Sequence, residues 1–188
     1  MNEADREAVG LVGFRAWQSS NAFEDVYLDP SVIERVRSEF AQFAATSTSD
    51  IAVVEIHGEI AGWGARDGEP NHISDLWVGP EWQGRGIGRA LVEHFLQKMR
   101  AVGIGTVTIS THAKNVSAIR LYERCGFQIV WQGQQWSDSM KVELQKVRLE
   151  QVLSSAEMHR AAMLLPGTAI YLLSSSPRTS SSPRVVMR

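Results

Sequence analysis

The spacing of apolar positions divides the chain into helical and extended stretches. Ala4, Ala8, Leu11, Val12 and Ala16 recur at helical spacing and predict an amphipathic helix over residues 4–17, broken by Ser19-Ser20-Asn21. Pro30-Ser31 opens a second helix with Val32, Val36, Phe40 and Phe43 on one stripe. Residues 51–56 and 59–65 read as strands joined by His57-Gly58, a hairpin signature, and residues 72–78 as a third strand. A wide apolar face, with Ile87, Leu91, Val92, Phe95, Leu96, Met99 and Val102, predicts a helix ending at Gly103. Residues 107–111 read as a buried strand. Asn115 or Ser117 caps a short helix through Arg124, and Gly126 closes it where a left-handed residue is needed. Residues 127–131 and 139–145 read as strands, the latter from alternating Met140, Val142 and Leu144. Residues 149–165 read as a helix and 169–173 as a strand. The Ser/Pro/Arg repeat over 174–188 has no means of burying a core and is expected to be disordered. The expected division is therefore a domain over 1–148, an extension over 149–173 and a tail over 174–188.

The stretch 75–92 carries the most chemistry. Leu76-Trp77-Val78 is an apolar run ended by Gly79-Pro80, and Gln83-Gly84-Arg85-Gly86-Ile87-Gly88 leads into a helical pattern from Arg89. Alternating glycines permit close backbone approach and unusual torsion angles. At a helix start the first amide N–H groups lack helical partners, and with the helix dipole they attract anions. Arg85 and Arg89 add cations, so the stretch reads as a pyrophosphate cradle. It is not a Walker loop, because Gly88 is followed by Arg89-Ala90 rather than Lys-Ser/Thr. A dinucleotide fingerprint would need its third glycine where Leu91 stands.

A second block lies downstream: Asn115, Ala118, Leu121, Tyr122, Gly126 and Phe127, in the pattern N-x-x-A-x-x-L-Y-x-x-x-G-F. Together the loop and this block resemble the GNAT superfamily of acetyl-CoA-dependent N-acetyltransferases, over roughly residues 51–131. In motif style the chain is most similar to bacterial ribosomal-protein N-terminal acetyltransferases. The resemblance implies an α/β fold: a mixed, mostly antiparallel sheet with a βαβαβ CoA-binding core. The strand that usually precedes the first helix is missing or very short here. By the same resemblance, acetyl-CoA contacts Leu76, Trp77, Val78, Gln83, Gly84, Arg85, Gly86, Ile87, Gly88, Arg89, Asn115, Ala118 and Tyr122. Leu76-Trp77-Val78 would pair with pantetheine and offer an amide to the oxyanion, and Tyr122 would protonate the departing thiolate. Asn115 also reads as an ordinary helix cap.

N-acetyl transfer needs a neutral amine, and a lysine-type amine has a pKa near ~10.4, so a base working near neutral pH is useful. Many relatives place a glutamate where His72 stands; histidine can serve directly or through water. Asp75 could orient His72 or act as base itself. A second glutamate of the ribosomal-protein enzymes corresponds to Ser110, and His112 is a reserve candidate. Cys125 sits where a small apolar residue is expected, which argues against an acetyl-cysteine intermediate. On the acceptor side, residues 17–27, with Glu24 and Asp25, and a loop at 132–136 would suit a cationic amine. The acceptor is expected to be an amine-bearing small molecule or a peptide N-terminus. A CoA-binding module that has lost catalysis is the alternative.

Composition narrows the rest. The 188 residues suit one domain, and the formal net charge of −2 gives no footprint for nucleic acid or an anionic membrane. A single cysteine excludes an intrachain disulfide and suits a reducing compartment. The absence of a long apolar run or a signal-peptide core makes a cytoplasmic location the expectation, with homodimerisation left open. The histidines, His57, His72, His94, His112 and His159, show no metal-ligand spacing.

Overall fold

The computed structural model describes residues 3–23, 28–47 and 50–153. Helix α1 (Arg6–Gln18) follows a short 3-10 turn at Glu3–Asp5, and among the described residues no strand precedes it. Its buried face is Val9, Gly13, Phe14 and Trp17, while Leu11 is 55% exposed. Of the stripe predicted through Ala4, Ala8, Leu11, Val12 and Ala16, Ala16 is buried and Val12 packs against the core, while Ala4 and Leu11 are exposed, so the true face is rotated toward Val9, Gly13 and Phe14. The cause is close packing: a Cβ on Gly13 would lie 2.6 Å from the Phe40 ring and 2.9 Å from Trp63. Glycine here belongs to the contact face, which a periodicity of apolar side chains does not register. Helix α2 (Pro30–Thr46) begins as predicted. The Asp29 side chain accepts the Ser31 N–H at 2.8 Å, and Pro30 fills a first-turn position whose N–H would have no helical partner.

Strands β1 (Asp50–Ile56) and β2 (Glu59–Arg66) form the expected hairpin. Its two turn residues, His57 and Gly58, both have positive φ, 54° and 85°, as a type I′ turn requires. There follow β3 (His72–Ile73), β4 (Asp75–Val78), α3 (Ile87–Ala101), β5 (Thr106–His112), α4 (Val116–Arg124), β6 (Gln128–Ser137) and β7 (Val142–Val152). Asn115 caps α4 by accepting the Ala118 N–H at 3.2 Å, and Gly126, with φ 96°, closes it.

Two sequence expectations are corrected at the C-terminal end. Residues 132–136 are not a loop but part of β6, paired along its length with β7. Their glutamines carry no apolar alternation, so pairing rather than burial makes them a strand. Residues 149–152 continue β7 instead of opening a helix, with Val147 and Leu149 buried on one face. The rest of 149–165, the strand read over 169–173 and the tail lie outside the described residues.

The strands form two sheets, β1-β2-β4 and β3-β5-β7-β6. All pairings are antiparallel except β3 with β5. The succession β4-α3-β5-α4-β6 is the βαβαβ core implied by the family resemblance. Ile87, Leu91 and Phe95 of α3 pack with Ile73, Ile109 and Leu149 on one side of the strands. Val9 of α1 and Ala44 of α2 pack with Val53 and Trp63 on the other. No helix among the described residues is long and apolar enough to cross a membrane.

Candidate active site

The strand predicted over 72–78 is broken at Ser74, and this break builds the site. Before it, β3 pairs in parallel with β5, His72 opposite Thr108 and Ile73 opposite Ile109. After it, β4 pairs only with β2, Asp75 opposite Ala65 and Val78 opposite Gly62. The backbone N–H and the hydroxyl of Ser74 both donate to the Ala65 carbonyl, at 3.0 and 3.1 Å. Ser74 and Asp75 therefore oppose a single residue, as in a bulge. Beyond this point β4 and β5 part, and β4 has an unpaired edge. The Gly79 N–H donates to the Ala61 carbonyl at 3.0 Å. Counting back by alternation, Trp77 and Asp75 turn their backbone groups to β2, and Leu76 and Val78 turn theirs into the gap. Gln83 Nε2 reaches the Val78 carbonyl from that open side, at 3.3 Å.

The same break resets which face each side chain takes. Ile73 and Leu76 both pack in the α3 core, whereas Trp77 packs against α1 and α2. His72 and Asp75, three positions apart, thereby share the α1–α2 face. An unbroken strand would put them on opposite faces. His72 Nδ1 lies 2.7 Å from Thr108 Oγ1, and Asp75 Oδ1 accepts the Trp77 indole N–H at 3.1 Å. Burial holds the His72 imidazole below its ordinary range, helped by the nearby Arg148 charge and opposed by Glu69 and Asp75. Burial pushes the Asp75 carboxyl up, against the bonds from Trp77 and Ser74. The two shifts bring an imidazole and a carboxyl toward each other in proton affinity and leave each a candidate base near neutrality.

All of these residues line one cleft of about 1610 Å³, which also holds Tyr122, Asn115 and Ala118. Tyr122 is 4% exposed and packs on Phe127 at 6.2 Å between ring centres. Burial raises its phenol far above the usual range, so it carries its proton throughout the neutral region. His112 lines the cleft too, but its Nδ1 accepts the Lys114 N–H at 3.1 Å. In that state the neutral ring bears its proton on Nε2, and it presents a donor rather than a base. The Cys125 thiol is raised mainly by burial and does not line the cleft, in keeping with its reading as packing.

The glycine loop has the predicted torsions. Gly84 and Gly86 have φ of 72° and 84°, and Gly86 is the residue before α3. The first loop-to-helix bond runs from the Ala90 N–H to the Gly86 carbonyl, so the amides of Ile87, Gly88 and Arg89 precede the helical ladder. A Cβ on Gly88 would lie 2.8 Å from Leu121, which is how α3 and α4 come close enough to bound one groove. The two arginines are held differently. Arg85 sits over the Trp82 ring at 5.0 Å and is not a cleft residue, and Arg89 pairs with Glu93 at 2.6 Å. Leu76, Trp77, Val78, Gln83, Gly84, Gly86, Ile87 and Gly88 do line the cleft with Arg89.

Among the acceptor-side expectations, Glu24 and Asp25 lie outside the described residues. Three cleft residues had no signal in the motifs: Thr108, Lys146 and Arg148. Each is placed by strand register, with Ser110 opposite Arg148 and His112 opposite Lys146. Alternation along β7 could have put Lys146 and Arg148 on one face with Leu144, had the strand been extended past Gln145.

Comparison with known proteins places these features in context. The model of the acetyltransferase (GNAT) family matches residues 14–127. A mycothiol acetyltransferase of Nocardiopsis dassonvillei is 43% identical over 67 residues, 35% of this chain and 20% of that protein. The [ribosomal protein bS18]-alanine N-acetyltransferase of Escherichia coli K12 is 42% identical over 55 residues, 29% of this chain and 37% of that protein. The chain thus spans well under half the length of these curated relatives. The PaiA N-acetyltransferase of Thermoplasma acidophilum, solved in complex with coenzyme A, has the same fold, with a TM-score of 0.62. It is 17% identical, and the match covers 81% of this chain and 96% of that one.

Proposed function

Because the chain belongs to the acetyltransferase (GNAT) family, we propose that it moves an acetyl group from acetyl-CoA to a primary amine by direct attack in a ternary complex. The observation that carries this reading is the parting of β4 from β5 after Ser74. It sets the unpaired amides of Leu76 and Val78 in the same cleft as His72, Asp75 and Tyr122. The residues present fit acetyl-CoA: free amides at the start of α3 for the pyrophosphate, an open strand edge for the pantetheine, and Asn115 and Ala118 at the start of α4. When bound, acetyl-CoA supplies a thioester carbonyl to which the amine nitrogen bonds as the C–S bond breaks.

The chain's own groups divide the proton work. With Nδ1–H donating to Thr108 Oγ1, His72 offers the Nε2 lone pair and takes the proton from the incoming ammonium, directly or through water. Asp75 stabilises the imidazolium so formed and is the second candidate base. An amide of β4, fixed in place by the pairing with β2, donates to the oxyanion without reorganising. Tyr122, kept protonated by burial, donates its proton to the leaving sulfur. The acceptor is an amine-bearing small molecule or a peptide N-terminus, the latter in line with the bS18-alanine N-acetyltransferase among the relatives. A cytoplasmic location completes the proposal.

The test is thiol release from acetyl-CoA against a panel of peptides, polyamines and aminoglycosides, with thermal protection by CoA, NAD and ATP measured alongside. Acceptor-dependent release with protection by CoA alone is expected. Protection by CoA without release for any acceptor would point to a binding module, and protection by ATP but not CoA would overturn the donor.

A further inference from the structure

The floor of the cleft on the α1–α2 face is cationic at the end away from the glycine loop. Lys146 and Arg148 stand two residues apart on β7, on one face of the strand, and both line the cleft. Register places Arg148 across from Ser110 and Lys146 across from His112. Among the described residues neither forms an ion pair. Among the described residues, the acids that line the same cleft, Glu39, Asp67, Glu69 and Asp75, form no ion pair with either cation; Asp75 is engaged by Trp77.

Lys146 is half-buried while Arg148 is exposed at the cleft rim; a half-buried cation without a counter-charge is costly, and a bound anion relieves the cost. Burial lowers the Lys146 ammonium from its ordinary range, and its charge weighs on His112 as that of Arg148 weighs on His72. Both cations thus bear on the histidines of the cleft, Lys146 from a half-buried position and Arg148 from an exposed one. His72 and Arg148 are two strands and about two residues apart, or about 12 Å between Cα positions. A long arginine side chain closes much of that span, leaving room for a short acceptor between guanidinium and imidazole.

We propose that Lys146 and Arg148 form an acceptor subsite for an anionic group, so that the preferred substrate is an amine that also carries a carboxylate. This rests on the acetyltransferase reading above. It runs against the polyamine and aminoglycoside classes, whose extra positive charges would meet the two cations. The carboxylate has two chemical sources: the α-carboxylate of a free amino acid, or an acidic side chain next to a peptide's N-terminus.

The experiment compares initial rates of thiol release at saturating acetyl-CoA for matched acceptors. The standard amino acids are set against their α-amides, and an alanyl-glutamyl peptide amide against its alanyl-glutaminyl twin; spermidine is the cationic comparison. Charge-assisted bonds of this kind predict at least about a tenfold higher kcat/KM for the carboxylate member of one pair. Which pair shows it identifies the source. The ratio should fall toward one in the double variant Lys146→Gln/Arg148→Gln, and Arg148→Lys should restore part of it. The KM for acetyl-CoA in the same variants monitors folding of the donor half. Equal rates within both pairs, a better rate with spermidine, or a preference unmoved by the double variant would overturn the subsite while leaving the enzyme standing. Absence of release with every acceptor, despite thermal protection by CoA, would overturn the acetyltransferase reading and the subsite with it.

Discussion

Nδ1 of His72 lies 2.7 Å from Oγ1 of Thr108 across the parallel pair β3–β5, and this contact orients the imidazole on the cleft floor. His72 titrates below its ordinary 6.5, chiefly through burial. It is therefore neutral at about pH 7 and able to accept a proton, and its rate limb falls on the acid side of the usual histidine value. His72→Gln is expected to lower turnover by roughly 10²-fold near neutral pH. The deficit should shrink toward about pH 10, where the free amine loses its own proton. Thr108→Val should slow turnover several-fold without changing the KM for acetyl-CoA, as a positioning residue would. A pH–rate profile of His72→Gln parallel to that of the parent would remove His72 as base and leave Asp75.

Tyr122 presents the complementary case. Its ring fills core space beside Phe127, so Tyr122→Phe keeps the packing and removes only the hydroxyl. Because burial raises the phenol far above neutrality, the parent keeps the proton to be donated at every pH used for assay. The variant should lose about 10- to 100-fold in kcat, with little change in the Kd for CoA measured by calorimetry. A thioester with a better leaving thiol should recover part of that loss. Full-rate turnover in Tyr122→Phe would leave the tyrosine as packing alone.

The glycine-loop half of the cleft was legible in the sequence because its physics is local. Glycines with positive φ at Gly84, Gly86 and Gly126, and the Asn115 cap, each solve a backbone problem within a few residues, so they leave fixed spacings. The opposite half of the cleft is non-local. Lys146 and Arg148 reach the cleft through a register set by β5, and the Ser74 break that brings His72 and Asp75 to one face is dictated by pairing with Ala65. Neither leaves a motif. Helix α1 was legible as a helix but its buried face only in part, since that face is partly glycine and its partners, Phe40 and Trp63, are remote in sequence.

Gly62 ties stability to the donor site. A Cβ there would lie 2.9 Å from the Trp77 carbonyl and 3.0 Å from Ile87, the residue that starts α3. A carbonyl in a paired strand cannot swing aside as a side-chain tip can. Gly62→Ala should therefore push β4 from β2 and cost about 1–3 kcal/mol. It should also raise the KM for acetyl-CoA, because the edge that moves is the one facing the gap. Gly86→Ala differs: open space surrounds the position, and the cost lies in its φ of 84°. That variant should lose about 1 kcal/mol. Urea melts and donor KM values for the two check both effects. A Gly62→Ala protein with parental stability and KM would mean that β4 is not held where its pairing places it.

His94 makes an acid-stability prediction separate from catalysis. It lies on α3 with its ring against Phe95, and burial, with repulsion from Lys98, lowers its pKa from 6.5 to about 4. Between those values the unfolded chain binds a proton that the folded chain does not. The contribution is thus fully present above about pH 6.5 and is lost as pH falls toward 4. The whole shift would amount to about 3.4 kcal/mol, and solvent access to the half-buried ring reduces this to the order of 2 kcal/mol. Asp50 acts in a different window. Burial alone would raise its carboxyl, but its bonds to Lys98 and Arg66 prevail and lower it, so its contribution is lost only below its ordinary 3.8. Urea unfolding of the parent and of His94→Gln, at about pH 7 and about pH 4.5, separates the two. The parent should lose more stability than the variant over that interval. Equal losses would show that His94 is hydrated in the folded protein and that burial does not govern its charge.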